Sequence, residues 1–525
     1  MWNLTVFLSL VWALSLLYGE WFTYLVPSLW TCSWPHLQRQ SSSLLNGADN
    51  SSNYVKIAVV TDPQLMDRTS LPLAPKSLAL EIAQFYTDLY MRRAFLLSVL
   101  PFKPDVVLFL GDYFDGGDKL SDEEWQESLG RFRHIFNLNT LWEASNTRVY
   151  YLSGNHDIGY TAFNSHKPEI IKRYEGEFGA RNFNVTLGKV DFIAVDAQTL
   201  DGHPRSHLTS ATWNFVENAS KDIDSTPRVL LTHIPLYRPD WTPCGPHRSS
   251  PVINQRIYRT NRDQEIVYQN YITKNSSNIL LDLIKPALVL SGHDHDQCTV
   301  THMSKHGAVM EHTVGTVSWQ QGNLYPSFML LSASNSTLSD GSTPEDAILT
   351  HLCFLPMQTH IYLWYLSLFA MTLVIVLLWP ANEVLISRKL GDLMGSIRNL
   401  YNSLSSVVKE KNEDENCEYE EIWDAEGSMH LIKKTKKVSS IVSNERNSVE
   451  RGNAVMRSKA RKPMGAEVDA STPDVSIHIG TARTNKSKAK MIIWRLLKAL
   501  RAILAVAAFN VPIYVLLVFK DWVDK

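Results

Sequence analysis

Val106-Val107-Leu108-Phe109-Leu110-Gly111-Asp112-Tyr113-Phe114-Asp115 is the stretch on which the fold turns. An unbroken apolar run ends in a glycine and a carboxylate. The run is too short for an isolated helix, and it predicts a strand buried on both faces. Four other runs repeat the pattern. Residues 55–61 end at Asp62, 149–153 at Gly154-Asn155-His156-Asp157, 229–232 at His233, and 287–291 at Gly292-His293-Asp294-His295. Helical patterns over 78–100, 122–138 and 208–222 lie between some of them. Strands alternating with helices predict a layered α/β domain whose sheet is covered on both faces. Such sheets bind ligands where strands end at their carboxyl edge, so these distant polar groups should meet there.

The converging set is Asp62, Asp112, Asn155, His233, His293 and His295. It mixes carboxylate, amide and imidazole and has no thiolate, which suits Mn, Fe, Zn or Mg. Six protein donors are too many for one catalytic ion that must keep open positions. They suit two ions sharing a bridging Asp, the arrangement that stabilises entering and leaving oxygens at phosphorus. Taken singly, Asp62 or His233 reads as an ordinary strand-end residue, and Asn155-His156 as turn chemistry. Five such coincidences in order argue for a site. Gly111, Gly154 and Gly292 are expected to let the backbone turn sharply beside it.

Asp62, Gly111-Asp112-Tyr113-Phe114-Asp115, Gly154-Asn155-His156-Asp157, His233 and Gly292-His293-Asp294-His295 together resemble the calcineurin-like metallophosphoesterases, over roughly residues 55–334. The resemblance implies a metallophosphoesterase sandwich of mixed β-sheets flanked by helices. It implies Asp112 as bridge, Asp62 and His295 on the first ion, and Asn155, His233 and His293 on the second. His156 is then the acid that protonates the leaving alkoxide, and a metal-bridging hydroxide attacks phosphorus. Asp115 and Asp157 read as supporting carboxylates, with Asp157 orienting His156. The first block departs from the family's Asp-x-His: here it is Asp62-Pro63-Gln64. An amide oxygen at Gln64 would favour Mn²⁺ or Mg²⁺ over Zn²⁺.

The chain has 525 residues and a net charge of −2 that hides an asymmetry. Residues 381–501 carry 22 Lys/Arg and 16 Asp/Glu, whereas residues 1–380 carry 27 and 35. An acidic catalytic region argues against nucleic acid as the substrate. Five cysteines are too few for a disulfide-built scaffold. Cys244 and Cys298 both flank the expected active edge, either as a disulfide or as two free thiols.

Three apolar stretches lack charge: residues 2–18, 361–379 and 502–519. Their lengths suit membrane helices. They divide the chain into an N-terminal signal anchor (1–30), a phosphoesterase domain (50–340), a transmembrane helix (361–380), a largely disordered polar loop (381–501) and a last transmembrane helix (502–519). The third stretch also reads as an amphipathic surface helix continuing the basic residues 491–501. No Lys or Arg occurs over 306–387, while Arg388, Lys389 and a basic run from Lys486 to Arg501 lie in the polar loop. The positive-inside rule then puts that loop in the cytosol and the domain in the lumen. Asn-x-Ser/Thr acceptors at Asn50, Asn184, Asn218, Asn275 and Asn335 fit a lumenal glycoprotein domain; Asn485 lies in the loop. Charge clusters within 402–490 could bind cytosolic partners or anionic lipid.

Within the superfamily, Asp62-Pro63-Gln64-Leu65, Trp241-Thr242-Pro243-Cys244-Gly245, Glu311-His312-Thr313-Val314-Gly315-Thr316 and the tract from Ser318 to Phe328 resemble the branch of the yeast Cdc-one-type and GPI-anchor-remodelling metallophosphoesterases. The resemblance implies two divalent ions, most simply Mn²⁺, and an enzyme of the endoplasmic reticulum or early Golgi membrane. It would remove ethanolamine phosphate from a mannose of a GPI-linked glycan or GPI-anchored protein. The alternatives are another lumenal phosphoester (phospholipid, phosphoprotein or nucleotide) and a non-catalytic trafficking scaffold. His203 reads as a structural turn. Trp241, Trp319 and Tyr325 form either a sugar or lipid shelf, or ordinary packing.

Overall fold

The computed structural model describes residues 2–37, 53–164, 167–221, 226–248, 254–336, 344–379, 398, 418–423, 429–434 and 483–523. The chain divides into two compact units, residues 1–373 with 500–525, and residues 374–499.

In chain order the strands of the first unit are β1 (Tyr54–Val60), β2 (Val106–Phe109), β3 (Arg148–Tyr151), β4 (Phe183–Leu187), β5 (Val190–Val195), β6 (Arg228–Thr232), β7 (Ile257–Arg259), β8 (Ile266–Gln269), β9 (Leu288–Ser291), β10 (Cys298–Ser304), β11 (Gly307–Thr313), β12 (Ser327–Ser334) and β13 (Ile348–Phe354). One sheet has the order β13-β12-β1-β2-β3, and the other β10-β11-β9-β6-β5-β4. Strands β1, β2 and β3 are parallel, as are β5, β6, β9 and β11. The antiparallel strands lie toward the sheet margins. Strands β7 and β8 form a separate hairpin.

Side-chain alternation builds the layers. Ile57, Val59, Val106 and Leu108 meet Val229, Leu231, Leu288 and Leu290 in a core between the two sheets. Their neighbours Ala58, Val60, Val107 and Phe109 pack beneath helices Leu78–Arg93 and Asp122–Ile135, against Tyr90 and Phe132. On the opposite side Leu230 and Val289 pack with Val216, Leu280 and Ile284 of helices His207–Lys221 and Lys274–Ile284. The result is helix, sheet, sheet, helix. Both faces of the parallel strands are buried, which is why they read as continuous apolar runs. Helix starts follow local rules: Ser121 and Glu124 close a capping box, and Thr273 caps helix Lys274–Ile284.

The sandwich runs past the expected boundary at 340, because β13 pairs with β12 along its whole length. A disulfide joins Cys32 to Cys353 on β13 and ties the N-terminal segment to this edge. That pairing had no sequence signal, since its cysteines are 321 residues apart.

Among the described residues, three helices are long and apolar enough to cross a membrane: Asn3–Leu37, Gln358–Leu378 and Ala489–Trp522. The last belongs to helix Arg483–Trp522, which starts well before the expected 502. Its basic N-terminal half consists largely of good helix formers. Asn510 does not interrupt it, because its side-chain amide bonds the Val506 carbonyl at 2.9 Å. At about 1.5 Å per residue the helix is about 60 Å long, roughly twice a bilayer's hydrocarbon core. Much of 381–501, including most of the 402–490 segment and its charge clusters, lies outside the described residues. Within it, β14 (Glu418–Trp423) and β15 (Met429–Lys434) pair antiparallel, with Glu418 opposite Lys434.

The three apolar helices approach the sandwich at one place. Glu20 of the first pairs with Arg93, whose Nε lies 3.2 Å from Asp521 of the last. Arg93 also donates to the Leu517 carbonyl at 2.9 Å, and Tyr365 of the second helix donates to Glu20 at 3.0 Å. Tyr514 reaches Tyr86 at 3.0 Å. Arg93 is 1% exposed and Glu20 3%, so truncating either one strands a buried charge. Arg93→Ala should cost about 3 kcal/mol by this mechanism. Thermal unfolding in lipid nanodiscs measures it; an unchanged midpoint would mean that the network is dispensable.

Candidate metal centre

The carboxyl ends of β1, β2 and β3 in one sheet, and of β6 and β9 in the other, open onto the same edge. Loops there are paired tightly. Gln64 and Leu65 donate their backbone N–H groups to the carbonyls of Asp112 and Tyr113, both at 2.8 Å. The loop after β1 thus continues as a neighbour of the loop after β2, with Leu65 bridged to Phe114. Asp62, Gln64, Asp112, His293 and His295 all hold positive φ, between 41° and 67°. The left-handed region is uncommon for side-chain-bearing residues, and clustered outliers of this kind mark functional sites. The surrounding bonds hold the strain. Thr316 donates to the Asp62 carbonyl at 2.6 Å, and the His293 N–H to its carboxylate at 3.0 Å.

Two groups of donors share Asp112. One is Asp112, His233 and His293; the other is Asp62, Asp112 and His295. In each, the donor atoms lie within 4.8 Å of one another, close enough to surround an ion. His233 Nε2 lies 3.2 Å from Asp112 Oδ2 and 3.2 Å from Asn155 Oδ1. Its Nδ1 is held by the Leu110 carbonyl at 2.7 Å, which leaves Nε2 as the lone-pair atom facing the centre. His293 is held the opposite way. Its Nε2 meets the Gln269 carbonyl at 3.0 Å, leaving Nδ1 free. Both orienting carbonyls belong to backbone that no motif identifies. Gln64 is 2% exposed, and its amide donates to Asp112 Oδ2 at 3.1 Å. It acts on the shared carboxylate.

Electrostatics suit cation capture. Asp112 is fully buried; burial alone would raise its pKa, but His233 and His156 outweigh it and hold the carboxyl far below its usual range. Burial opposes charge on His233 too, yet the Asp112 carboxylate raises that ring to about 9. His293 moves down to about 3, through burial first and then repulsion from His233. Two cations replacing the protons of this cluster would resolve its crowding. The oxygen- and imidazole-rich donor set fits divalent ions of intermediate hardness.

The supporting carboxylates do not divide as expected. Asp157 does not orient the His156 ring. Its two oxygens accept the backbone N–H groups of Asp112, Tyr113 and Gly154, each at 2.8 Å, and so shape the loop that carries the shared ligand. Asp115 holds His156 instead: Nδ1 donates to the Asp115 carbonyl and lies 3.6 Å from its carboxylate. Burial works against charge on His156, but Asp112 and Asp115 together raise its pKa. Nε2 is left as the ring atom available to a substrate.

The glycines also divide. Gly111 turns the chain at φ +102°. Gly154 and Gly292 are needed for space: a Cβ on Gly154 would strike Asp112, and one on Gly292 would strike Thr61 and Asp62.

Behind the edge, Glu311 on β11 accepts from Ser291 at 2.7 Å and His302 at 2.7 Å, and lies 3.4 Å from Arg238. It locks the ends of β6 and β9 together. Burial opposes its charge, but Arg238 and His302 lower its pKa from 4.5 to about 2. A depressed carboxylate stabilises fully above pH 4.5 and loses that contribution as pH falls toward 2, about 3 kcal/mol in all. Glu311→Gln should flatten the acid limb of a stability-against-pH curve in that window, read by thermal shift. An unchanged slope would assign the limb to other groups.

A disulfide joins Cys244 to Cys298, tying the loop after β6 to the start of β10. His203 takes part in a local turn, accepting the Arg205 N–H at 3.1 Å. Trp319 packs edge-on against Tyr362, and Tyr325 against His247 and Phe354. Trp241 is 73% exposed.

The family model for calcineurin-like phosphoesterases matches residues 55–297. Residues 55–297 are a calcineurin-like phosphoesterase domain. The phosphoesterase domain accounts for the edge just described and for the order of its ligand blocks. Among similar proteins, Cell division control protein 1 of Saccharomyces cerevisiae is 30% identical, over 59% of this chain and 63% of that protein. The Metallophosphoesterase 1 homolog of Drosophila melanogaster is 26% identical, over 66% of this chain and 85% of its own length. Metallophosphoesterase 1 of Danio rerio is 29% identical, over 53% and 71%.

Proposed function

We propose that this chain is a membrane-held phosphodiesterase of the early secretory pathway, its domain lumenal, which removes ethanolamine phosphate from a mannose of a GPI-linked glycan. The hydrolytic part rests on one observation: donors from separate strands of two sheets form two groups that share Asp112. Asp62 and His295 would hold one divalent ion with Asp112; His233, His293 and Asn155 would hold the other. Mn²⁺ suits the oxygen- and imidazole-rich donor set. Such a pair of ions lowers the pKa of water and neutralises phosphate oxygens. The chain's own residues do the rest. The carbonyls of Leu110 and Gln269 orient the two imidazoles, and Asp157 holds the Asp112 loop. His156, anchored through Nδ1, gives its Nε2 proton to the leaving sugar alkoxide.

The substrate part is supported by resemblance to the anchor-remodelling branch and by the three apolar helices meeting the domain. The bias of Lys and Arg toward 381–501 supports a lumenal domain. The test uses the full chain in nanodiscs with Mn²⁺, offered ethanolamine-phosphate mannose glycan, phosphopeptide, sphingomyelin and a nucleotide. Release of ethanolamine phosphate from the glycan is expected. Turnover of only another substrate would overturn the anchor reading. No turnover of any, with metal bound, would favour a scaffold.

A further inference from the structure

Beside His295 lies a cavity of about 420 Å³, within the size range of small-molecule sites. Arg248, Asn270, Tyr271, Asp294 and Asn323 contribute to its lining. Asn323 is only 6% exposed, yet among the described residues neither its Oδ1 nor its Nδ2 has a hydrogen-bond partner. Asn270 Oδ1 and Arg248 Nε are likewise buried without one. A buried amide with nothing to bind carries an uncompensated desolvation penalty, which a ligand that satisfies it removes.

The chemistry of the lining selects the ligand. Arg248 is spent on Asp294 through two contacts of 2.8 and 3.0 Å, and Tyr271 donates to the same carboxylate at 3.3 Å. The lining carries two cations, Arg248 and Arg256, and two carboxylates, Asp294 and Asp296, beside His295. A charge-balanced site is a poor cradle for a second phosphate. A lining of amides and ion pairs is a poor one for an acyl chain. Free amide donors and acceptors together match hydroxyl groups, each of which also donates and accepts.

We infer that this cavity binds a neutral sugar ring of the substrate next to the scissile phosphate, with Asn323 as its main specificity residue. The inference rests on the glycan reading above and deepens it.

The experiment uses the full chain in nanodiscs, free of glycosidic detergent, as wild type, Asn323→Ala and Asn323→Asp. Saturation-transfer NMR with mannotriose reads binding directly. Hydrolysis of bis(p-nitrophenyl) phosphate, which has no sugar, reads the metal centre. Wild type should show transfer to mannotriose. Asn323→Ala should lose at least 10-fold in affinity, in line with two lost hydrogen bonds, while bis(p-nitrophenyl) phosphate turnover stays within about 2-fold. Asn323→Asp, which keeps the acceptor and loses the donor, should fall between. Mannotriose binding unchanged in Asn323→Ala would overturn the inference, as would absent binding in an active wild type or preferential binding of ethanolamine or inorganic phosphate. Sugar binding without hydrolysis of any phosphodiester would instead sink the proposed function and leave the sugar site standing.

Discussion

Asp112→Ala is expected to emerge with fewer than two divalent ions and to hydrolyse a phosphodiester at least 10³-fold more slowly than wild type. Removing a single electrostatic stabiliser already costs about 10²–10³ in turnover, and Asp112 belongs to both donor groups. The loss has a second source. His156 donates its backbone N–H to Asp112 Oδ1 at 2.8 Å, and Gln64 its amide to Oδ2 at 3.1 Å. Truncation therefore releases the loops that bring His156 and Asn155 to the edge. It also removes the carboxylate that most strongly charges His233. Metal analysis of the purified protein, beside turnover, checks the prediction. Two ions per chain in the mutant would show that the two groups do not share this residue. Asp112→Asn is the control for shape: it keeps the volume and one oxygen, and should recover fold stability but not tight binding.

His156→Ala should behave differently, retaining both ions while losing turnover in a way that depends on the leaving group. General acids of this kind contribute about 10²–10⁴. The full loss is expected for a sugar alkoxide, which needs the proton. A much smaller loss is expected for p-nitrophenolate, which leaves without one. The ratio of the two losses is the diagnostic quantity, because misplacement of the metals would lower both equally. Asp115 supplies a second check. Its contact with Nδ1 supports the raised pKa of His156, so Asp115→Asn should draw the basic limb of the pH–rate profile downward by weakening the imidazolium. A metal content that falls with His156→Ala would move this residue from proton donor to ligand.

The five strands that carry the candidate ligands were legible in the sequence, with ends shifted by a residue or two, whereas the other eight described strands of the first unit were not read from it. Residues 106–110 read as a strand because both faces of β2 are buried, one against the second sheet and one against helices. The periodicity records burial but not partner. It showed a covered sheet, and could not say that the first cover is another sheet. The candidate ligands were legible for a related reason: each stands immediately beyond an apolar run, where the chain leaves the core.

The supporting roles were not legible. Asp115 and Asp157 occupy similar places in similar motifs, yet one holds an imidazole and the other holds three backbone N–H groups. Which occurs depends on how the two loops lie together. Cys32 and Cys353 meet only because β13 adds to the edge of the first sheet. Asn323 lies in the Ser318–Phe328 tract that carries the branch resemblance, but nothing in the sequence assigned it a role; its unsatisfied amide exists only by virtue of what surrounds it.

The sequence by itself determined which five segments become the ligand-bearing buried strands, which stretches are apolar enough for a membrane, and which side chains stand at those strand ends. These follow from local hydrophobic pattern, which the chain bears along its length. The facing sheets and the shared place of Asp112 were expected from the family resemblance; only the tertiary structure decided how closely Asp62, His295, His233 and His293 approach Asp112, which carbonyl orients each imidazole, and which carboxylate serves which neighbour. Those depend on distances between residues far apart in sequence, and a hydrogen bond or an ion site is selective to a few tenths of an ångström.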